Sequence, residues 1–359
     1  MPAPIVFLAS ADYARRTGGF VYNMQLLDAL KRQGMRVEQL TLETGFPRVP
    51  EAERQWLSAA LKGLPEDAIL LTDHIYLCDL ADVFASVTLP VVAIFHHSLV
   101  VEHGDHADEQ AETLRQAERR AIARSAGILV TSDETARYIA HHYGADGDRV
   151  RVAVPGNGIV PRVAVGTRPE PLSILSVGAI IPRKRYDYML SVAACLKDVD
   201  WRWQIAGDPN RYPDHLSALK AAAAAAGLAD RFVFLGDVAD DDLERLFQES
   251  DLYVATSAYE GYGMAVAEAF RHGMPVVTTA SGAVSTWAAG GMLAAPADDP
   301  AGMADLIRPL LSDRGRLREL ADRAWRFGET LPSWEETFDG MDGWLAEVAR
   351  LSTVDVVRE

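Results

Sequence analysis

The chain has 359 residues, 49% of them hydrophobic, which is enough for two domains with cores of their own and typical of a soluble globular protein. Its 51 acidic and 35 basic residues give a net charge of −16. This balance argues against nucleic acid as a partner, and against docking on anionic lipid through a general basic surface.

The first nine residues have no positively charged segment and are too short for a signal peptide or a membrane span. We interpret them as the start of a buried strand and expect no transmembrane segment. Cys78 and Cys195 are far apart and lack Cys-x-x-Cys spacing, so neither a disulfide framework nor a thiolate metal site is predicted. The cytoplasm is the expected location.

Short apolar runs alternate with amphipathic stretches along the whole chain, which predicts α/β architecture with parallel sheets covered by helices on both faces. In the first half, strands are predicted at 5–9, 36–40, 68–71, 91–95, 127–130 and 150–154. In the second half they are predicted at 172–177, 202–206, 232–235, 252–255 and 276–279. The pattern therefore indicates two doubly wound units.

Proline and glycine are densest at 155–161 and 166–171, which predicts an interdomain linker. We place the domains at 1–165 and 166–331. Residues 332–359 form a predicted C-terminal helix, because its apolar residues are spaced to make a stripe: Trp334, Phe338, Met341, Trp344 and Leu345.

A glycine pair, Gly18 and Gly19, follows the first predicted strand and opens an amphipathic helix. Open α/β sheets bind ligands at such strand-to-helix turns, where unpaired backbone N–H groups attract anions. An ordinary helix-start turn is the alternative.

Two histidines, His96 and His97, close the predicted strand 91–95, where parallel sheets place their ligands. A shared metal ion is disfavoured because adjacent residues on a strand point to opposite faces. Capping of the strand by bonds to the backbone is the alternative. A polar loop follows, and either lines an acceptor site or is simply solvated; it contains Glu102, His103, Asp105 and His106.

Three consecutive cations, Arg183, Lys184 and Arg185, follow the predicted strand 172–177. Such a cluster can neutralise a diphosphate leaving group without a metal ion, although a solvated basic run is the alternative. Acidic runs at 240–242 and 298–299 each precede a helix-like segment, where acids favour the helix dipole. We therefore predict no catalytic metal and no cofactor.

Two carboxylates, Glu260 and Glu268, lie eight positions apart on a predicted strand-loop-helix turn that contains Gly261 and Gly263. The helix N-terminus favours an anion, and the carboxylates suit paired hydroxyls on either side of it. A nucleoside-diphosphate sugar has that layout. The alternative is that both are ordinary helix-start and surface residues.

The segment 259–270 resembles the E-x7-E motif of the retaining GT-B glycosyltransferases of the family 4 kind (glycosyl transferases group 1). The resemblance includes the Glu-Gly-Tyr-Gly-Met core at 260–264 and the Gly-Met-Pro-Val-Val strand at 273–277, and extends over nearly the full chain. It implies two Rossmann-like domains that face a central cleft, with the C-terminal helix crossing back to the first domain. It also implies metal-independent, retaining sugar transfer from a UDP- or GDP-sugar, bound mainly by the second domain, to an acceptor on the first.

The resemblance assigns roles to individual residues. The implied catalytic residues are His96, Lys184 and Glu260. The implied donor-binding residues are Gly18, Gly19, Arg183, Lys184, Val238, Glu260, Gly261, Tyr262, Gly263, Met264 and Glu268, while His97 and Glu102 are placed on the acceptor side. Within this set Glu268 would meet the ribose, the backbone near Val238 the base, and His96, or His97 as the fallback, the sugar.

The chain departs from the family pattern at two positions. Ala179 stands where an arginine is expected after the glycine, and Arg185 stands where a glycine follows the lysine. Whether Arg183 replaces the missing arginine is left open. The alternative functions are a GT-B sugar-nucleotide epimerase or phosphorylase, and a catalytically inactive nucleotide-sugar-binding protein. No segment specifies the acceptor or the oligomeric state.

Overall fold

A computed structural model describes residues 3–11, 17–44, 49–104, 108–279, 281–296 and 298–356, and the side chains up to residue 351. The chain divides into two compact units. The first comprises Met1–Pro155 with Trp334–Glu359, and the second is Gly156–Ser333.

The first unit alternates strands and helices. Its strands are β1 (Ile5–Ser10), β2 (Val37–Leu42), β3 (Ile69–Asp73), β4 (Val91–Phe95), β5 (Gly127–Val130) and β6 (Val150–Val152). Its helices are α1 (Gly18–Arg32), α2 (Glu51–Lys62), α3 (His74–Asp79), α4 (Ala81–Phe84), α5 (Leu99–Glu102), α6 (Glu109–Arg124) and α7 (Asp133–Tyr143), with a 3-10 turn at Gly147–Arg149.

These strands form a parallel sheet in the order β2-β1-β3-β4-β5-β6, with Ile5 opposite both Val37 and Ile69. Both faces are covered, so β1 is apolar throughout: Ile5 and Phe7 enter one core cluster, and Val6 and Leu8 enter another. Continuous apolar runs, rather than alternating ones, are the expected pattern for such strands.

The second unit repeats the plan. Its strands are β7 (Leu172–Val177), β8 (Trp201–Ala206), β9 (Phe232–Gly236), β10 (Leu252–Ala255), β11 (Val276–Thr279) and β12 (Leu293–Ala295). Its helices are α8 (Tyr186–Ala194), α9 (Pro213–Ala225), α10 (Asp240–Glu249), α11 (Met264–Arg271), α12 (Val284–Trp287), α13 (Pro300–Ser312) and α14 (Arg314–Gly328), with a 3-10 turn at Pro182–Lys184. The parallel strand order is β12-β11-β10-β7-β8-β9.

The α/β prediction with two doubly wound units is confirmed. The bounds of β4, β5, β7, β10 and β11 are as predicted, and the other predicted strands differ by one or two residues at one or both ends. Strand β12 was not predicted, because it has only three residues between a glycine pair and a proline. None of the helices within the described ranges has the length and apolarity that a bilayer crossing requires.

The boundary between the units lies ten residues before the predicted position, at 155/156 instead of 165/166. Residues 156–165 belong to the second unit because Val163 and Val165 are buried in its core. The N–H of Val163 also donates to the carbonyl of His272 at 2.8 Å.

The tail forms two helices, α15 (Trp334–Thr337) and α16 (Met341–Val356), where one was predicted. Gly340, with φ 62°, lies between them in the left-handed region, which ends the first helix before the second begins. Both belong to the first unit, and Phe338, Met341 and Leu345 are buried in its core beside α1.

Candidate functional site

The strand order of the second sheet creates a switch point between β7 and β10. From β7 the chain moves to β8 and β9 on one side and then returns to β10 on the other. The segments that follow β7 and β10 therefore diverge at the same edge of the sheet, where open α/β folds bind ligands. Thr256 Oγ1 donates to the carbonyl of Lys184 at 2.9 Å, and the N–H of Ala258 donates to that of Arg183 at 2.8 Å.

Four side chains meet at this edge, and we call them the cation–carboxylate cluster: Arg183, Lys184, Ser257 and Glu260. Lys184 Nζ lies 2.5 Å from Glu260 Oε1, and the Ser257 hydroxyl donates to the same oxygen at 2.6 Å. Arg183 NH1 lies 3.4 Å from Glu260 Oε2. The structure thus joins three residues that the sequence assigned to donor binding, and it adds Ser257.

Electrostatics keep the Glu260 carboxylate ionised. Its burial alone would raise its pKa, but the charges of Lys184 and Arg183 lower it. Hydrogen bonds from Lys184 and Ser257 act in the same direction, and the pKa falls to about 2. The cluster therefore carries one anion and two cations, and has a net positive charge.

Close backbone packing determines the path of the Lys184 side chain. A Cβ on Gly178 would lie 2.9 Å from Lys184 Cε, so the side chain runs over the bare glycine backbone. A Cβ on Gly207, at the end of β8, would in turn meet the Gly178 carbonyl at 1.9 Å. Neither glycine was predicted as a site residue, although both directly follow predicted strands.

Arg183 is held by the backbone as well as by the carboxylate. Its NH1 group donates to the carbonyl of Tyr259 at 2.6 Å. Its Nε is buried and has no hydrogen-bond partner within the described residues. A guanidinium with a spare donor can bind a further anion.

The third cation of the basic run, Arg185, contacts Asp298 and Tyr188. Its guanidinium lies 3.1 Å from Asp298 Oδ1 and 4.8 Å from the centroid of the Tyr188 ring. Its backbone is left-handed, with φ 50°, a conformation that favours glycine. The run therefore divides, with two cations on Glu260 and the third on other partners.

The loop after β11 contacts the backbone of the Glu260 segment. This contact was not predicted from the sequence. Gly282 has φ 55°, and a Cβ there would lie 2.3 Å from the carbonyl oxygen of Glu260. The N–H of Ala283 donates to that same oxygen at 2.9 Å. Thr279 and Ser281 both donate to the carbonyl of Ser257. The signal available in the sequence was a small-residue loop directly after the predicted strand 276–279.

The predicted glycines next to Glu260 lie at the start of α11. Gly261 is buried, and Gly263 is the residue before the helix, with φ 95°. A Cβ on Gly263 would lie 2.4 Å from Val284 Cγ2, so only glycine fits there. Met264 begins the helix and is half-buried.

The Tyr262 side chain serves the core. It is 6% exposed and stacks on Trp287 with centroids 4.7 Å apart, while Trp287 Nε1 donates to its carbonyl at 2.7 Å. The Tyr262 ring therefore packs in the core, and the donor contact predicted for this residue falls to its backbone.

Glu268 lies on α11, away from the cations. Its burial, followed by the nearby carboxylates of Asp240 and Glu244, raises its pKa to about 7. Val238, the proposed base contact, is half-buried in the short connection between β9 and α10.

The acidic runs lie at the starts of helices, as predicted from their positions. Residues Asp240, Asp241 and Asp242 form the first turn of α10. The Asp299 side chain accepts from the N–H of Gly302 at 2.8 Å at the start of α13.

In the first unit, the strand order places the switch point between β1 and β3. Gly18 and Gly19 begin α1 there, and the Thr17 hydroxyl caps the helix by accepting from the N–H of Phe20 at 3.2 Å. A Cβ on Gly19 would lie 3.3 Å from the His96 ring. A side chain at position 19 would therefore crowd the His96 ring.

The two predicted histidines have different partners. His96 Nε2 lies 3.2 Å from Asp73 Oδ1, at the end of β3, and His97 Nε2 lies 3.1 Å from Glu102 Oε2. Asp73 was not predicted, although it lies two residues after the strand predicted at 68–71 and therefore at the ligand-binding edge. Asp105 and His106 lie outside the described residues.

A buried carboxylate, Glu118, anchors the turn after His97 and was also missed. It accepts from the Ser98 hydroxyl at 2.8 Å, from the Leu99 N–H at 2.5 Å and from the Tyr143 hydroxyl at 2.5 Å. Burial alone would raise its pKa, but hydrogen bonds and the His74 imidazole lower it. The ionised Glu118 side chain therefore holds the start of α5 in place.

The fold is that of known GT-B proteins. The structure matches a sucrose-phosphate synthase from Thermosynechococcus elongatus with a TM-score of 0.77 and 20% identity, covering 99% of this chain and 100% of that one. It matches HepE from Anabaena, crystallised with UDP and glucose, with a TM-score of 0.75 and 17% identity, covering 96% and 99%. The protein class is therefore α/β with the GT-B fold of glycosyltransferases.

Sequence similarity indicates a glycosyltransferase domain in the second unit. Residues 162–327 match the model of the glycosyl transferases group 1. D-inositol 3-phosphate glycosyltransferases from Rhodococcus jostii (strain RHA1) and Rhodococcus opacus (strain B4) are 30% identical over 277 residues, which is 72% of this chain and 59% and 60% of theirs. The chain thus spans about three fifths of these relatives' length. The chain has the GT-B fold, and its residues 162–327 match a glycosyl transferases group 1 domain, as the resemblance predicted.

Proposed function

We propose that the protein is a retaining glycosyltransferase that moves a sugar from a UDP- or GDP-sugar to an acceptor. The observation that carries this proposal is the cation–carboxylate cluster at the switch point of the second sheet. Two cations and a low-pKa carboxylate meet there beside the N-terminus of α11. A nucleotide sugar presents two phosphates next to sugar hydroxyls, and so complements both charges.

Lys184 and Arg183 would stabilise the departing diphosphate. Negative charge builds up on that group as the bond to the sugar breaks, and fixed cations in a partly buried site lower the barrier without a metal ion. In the ligand-free structure Glu260 is the partner of both cations. A bound diphosphate would take over part of this pairing and leave the carboxylate to accept from sugar hydroxyls.

The remaining residues complete the donor site in this proposal. Glu260 and the amides of residues 261–263 bind the sugar, and Glu268 binds the ribose hydroxyls. The backbone near Val238 receives the base, and the glycine pair at 18–19 faces the phosphates. His96, with His97 as the fallback, contacts the sugar. His97 and Glu102 lie on the acceptor side.

Retention means that the acceptor attacks the sugar face from which the diphosphate departs. Such a reaction needs no pair of carboxylates at the separations that glycosidases use. The single carboxylate of the cluster, already neutralised by Lys184 and Arg183, is consistent with this route. The resemblance of segment 259–270 to the E-x7-E motif of retaining enzymes supports this route.

The names of similar proteins suggest which substrates to test first. HepE was crystallised with UDP and glucose, and also with UDP-glucose, which supports a UDP-sugar donor. The curated relatives are named for D-inositol 3-phosphate, so that phosphorylated polyol belongs in the acceptor panel.

The test is a panel of UDP-, GDP- and ADP-sugars, with release of the nucleoside diphosphate measured first in water and then with candidate acceptors. We expect one nucleotide class to be hydrolysed slowly and its turnover to rise with the true acceptor. Conversion of the donor into an epimer without nucleotide release would support an epimerase instead. Tight binding without turnover of any donor would support an inactive binding protein.

A further inference from the structure

A second cluster lies at the carboxyl edge of the first sheet, and we call it the histidine cluster: Gly19, Tyr22, Asn23, Asp73 and His96. Asp73 ends β3 beside the switch point, and its side chain is only 10% exposed. Its Oδ1 accepts from Asn23 Nδ2 at 2.8 Å and lies 3.2 Å from His96 Nε2. Of these five residues, only Gly19 and His96 were assigned roles from the sequence.

The imidazole ring of His96 is fixed from several sides. The edge of Tyr22 packs against it at 90°, with centroids 5.4 Å apart. The bare backbone of Gly19 passes close to the ring, since a Cβ there would lie 3.3 Å from two ring atoms. The Thr131 hydroxyl donates to the His96 carbonyl at 3.1 Å. The ring therefore has one orientation, with Nε2 towards Asp73.

This orientation determines which ring nitrogen carries the proton. An ionised carboxylate can only accept hydrogen bonds, so the neutral ring must carry its hydrogen on Nε2 to bond Asp73. Nδ1 is then a bare acceptor. In the part of the chain that the structure describes, Nδ1 of His96 has no hydrogen-bond partner and is not fully buried. A ligand group that meets Nδ1 must therefore be a donor.

We propose that Asp73 is a positioning residue that fixes His96 as the Nε2–H tautomer, so that Nδ1 accepts a hydrogen bond from a substrate hydroxyl. The identity of that hydroxyl as one on a sugar or sugar acceptor rests on the proposed function. The tautomer itself does not, because it follows from contacts in the ligand-free protein.

The direct test is nitrogen-15 NMR of the histidine side chains in the ligand-free full chain. His96→Gln assigns the signal among the nine histidines. In the neutral form of the ring we expect the proton on Nε2, with slow exchange against water. Asp73→Asn keeps an oxygen acceptor and should keep this state, whereas Asp73→Ala should speed the exchange at least tenfold. A proton on Nδ1 in the wild type, or unchanged exchange in Asp73→Ala, would overturn the proposal.

The functional test is a double-mutant cycle on the donor that the nucleotide-sugar panel identifies. We expect Asp73→Ala to lower kcat/KM roughly ten- to a hundredfold, the loss typical of a charge-assisted hydrogen bond. The double variant with His96→Ala should be no slower than His96→Ala alone, since Asp73 acts through His96. Multiplied losses would show that Asp73 is only structural, and would overturn the proposal.

The matched control is Asp79→Ala, because Asp79 is similarly buried in the first unit but pairs with Arg54 at 3.2 Å. It should leave the His96 spectrum and kcat/KM unchanged. If no donor is turned over, the proposed function fails while the NMR result still decides the tautomer. A hydroxyl on the donor is indicated if His96→Ala slows hydrolysis in water, and one on the acceptor if it slows only transfer.

Discussion

Lys184 Nζ lies 2.5 Å from Glu260 Oε1, although the two residues are 76 positions apart in the chain. The contact requires β7 and β10 to be neighbours, and requires glycine at 178 to let the lysine side chain pass. This ion pair joins the two motifs predicted from the sequence, the basic run at 183–185 and the segment 259–270. The following predictions depend on this pair and on its support.

Lys184→Ala should lower kcat by roughly a hundred- to a thousandfold, because it removes the main positive charge next to the leaving diphosphate. The measurement is the steady-state rate of nucleotide release. Lys220→Ala is the control, since Lys220 is exposed on α9 and should show wild-type rates. Unchanged kcat in Lys184→Ala would remove the assigned role of the cluster.

Stability in acid should reveal the low pKa of Glu260. Its pKa falls from 4.5 to about 2 on folding, so its ionised form stabilises the protein above about pH 4.5. This contribution is lost as the pH falls towards 2, and the pKa change corresponds to roughly 3 kcal/mol. Denaturant unfolding of the second unit, measured from pH 2 to 6, should show a slope that Glu260→Gln removes and Glu319→Gln, at an exposed position, retains.

Glu268 should behave in the opposite way. Its pKa rises from 4.5 to about 7, so its contribution to stability is complete below pH 4.5 and is lost as the pH rises to about 7. Glu268→Gln cannot ionise, and at pH 8 it should be more stable than the wild type by roughly 3 kcal/mol. The same variant should bind the nucleotide more weakly at pH 8, because an amide accepts fewer hydroxyl donors than a carboxylate.

Both quantities can be measured on the same preparations, with unfolding curves for stability and calorimetric titration of the nucleotide for affinity. Glu244→Gln removes a neighbouring negative charge and should lower the pKa of Glu268, which would move the stability loss to lower pH. Equal stability of Glu268→Gln and the wild type at pH 5 and pH 8 would contradict the burial of this carboxylate.

Gly282→Ala should disturb the Glu260 segment. The new Cβ would lie 2.3 Å from the Glu260 carbonyl oxygen, in addition to the cost of the left-handed backbone. Gly227→Ala is the control, because Gly227 has φ 68° but nothing within 4 Å of the added carbon. We expect about 1 kcal/mol of destabilisation for Gly227→Ala and about 2 to 4 kcal/mol for Gly282→Ala, with loss of activity only in the latter. Equal effects would mean that the loop yields without moving Glu260.

Arg185→Gly and Arg185→Ala separate backbone strain from side-chain contacts. Both lose the contacts to Asp298 and Tyr188, but only glycine relieves the left-handed backbone at φ 50°. Glycine should therefore be the more stable variant by about 1 kcal/mol, as measured by unfolding. A more stable alanine variant would show that the backbone relaxes at this position.

Much of the fold follows from local pattern. Strands 91–95, 127–130 and 252–255 match the structure because a short, continuous apolar run is the pattern of a strand in a sheet covered on both faces. The helix after Gly263 could also be predicted from the sequence, since residues 264–271 contain no glycine or proline. Strand β12 is too short to show a pattern of its own, and the apolar stripe of the tail continues across the left-handed Gly340 that separates its two helices.

Only part of the site could be predicted from the sequence, because local patterns do not show which strands become neighbours. Glu260, Lys184 and His96 belong to motifs, but their partners come from other strand ends. Asp73 meets His96 because β3 and β4 are neighbours, and Gly282 meets Glu260 because β11 lies beside β10. The order of strands in the sheet brings these residues together, and the residue pattern of a single strand does not encode that order. Counting polar residues after every predicted strand would have included Asp73.

The measurement that tests the central claim most directly is a proton NMR time course of the cognate nucleotide sugar with the wild-type protein. With water as the acceptor, the account predicts that free nucleoside diphosphate appears together with a sugar that first has the anomeric configuration of the donor, and that Lys184→Ala abolishes both signals. A sugar that first appears with the opposite configuration, or a changed nucleotide sugar with no release of nucleotide, would contradict retaining transfer.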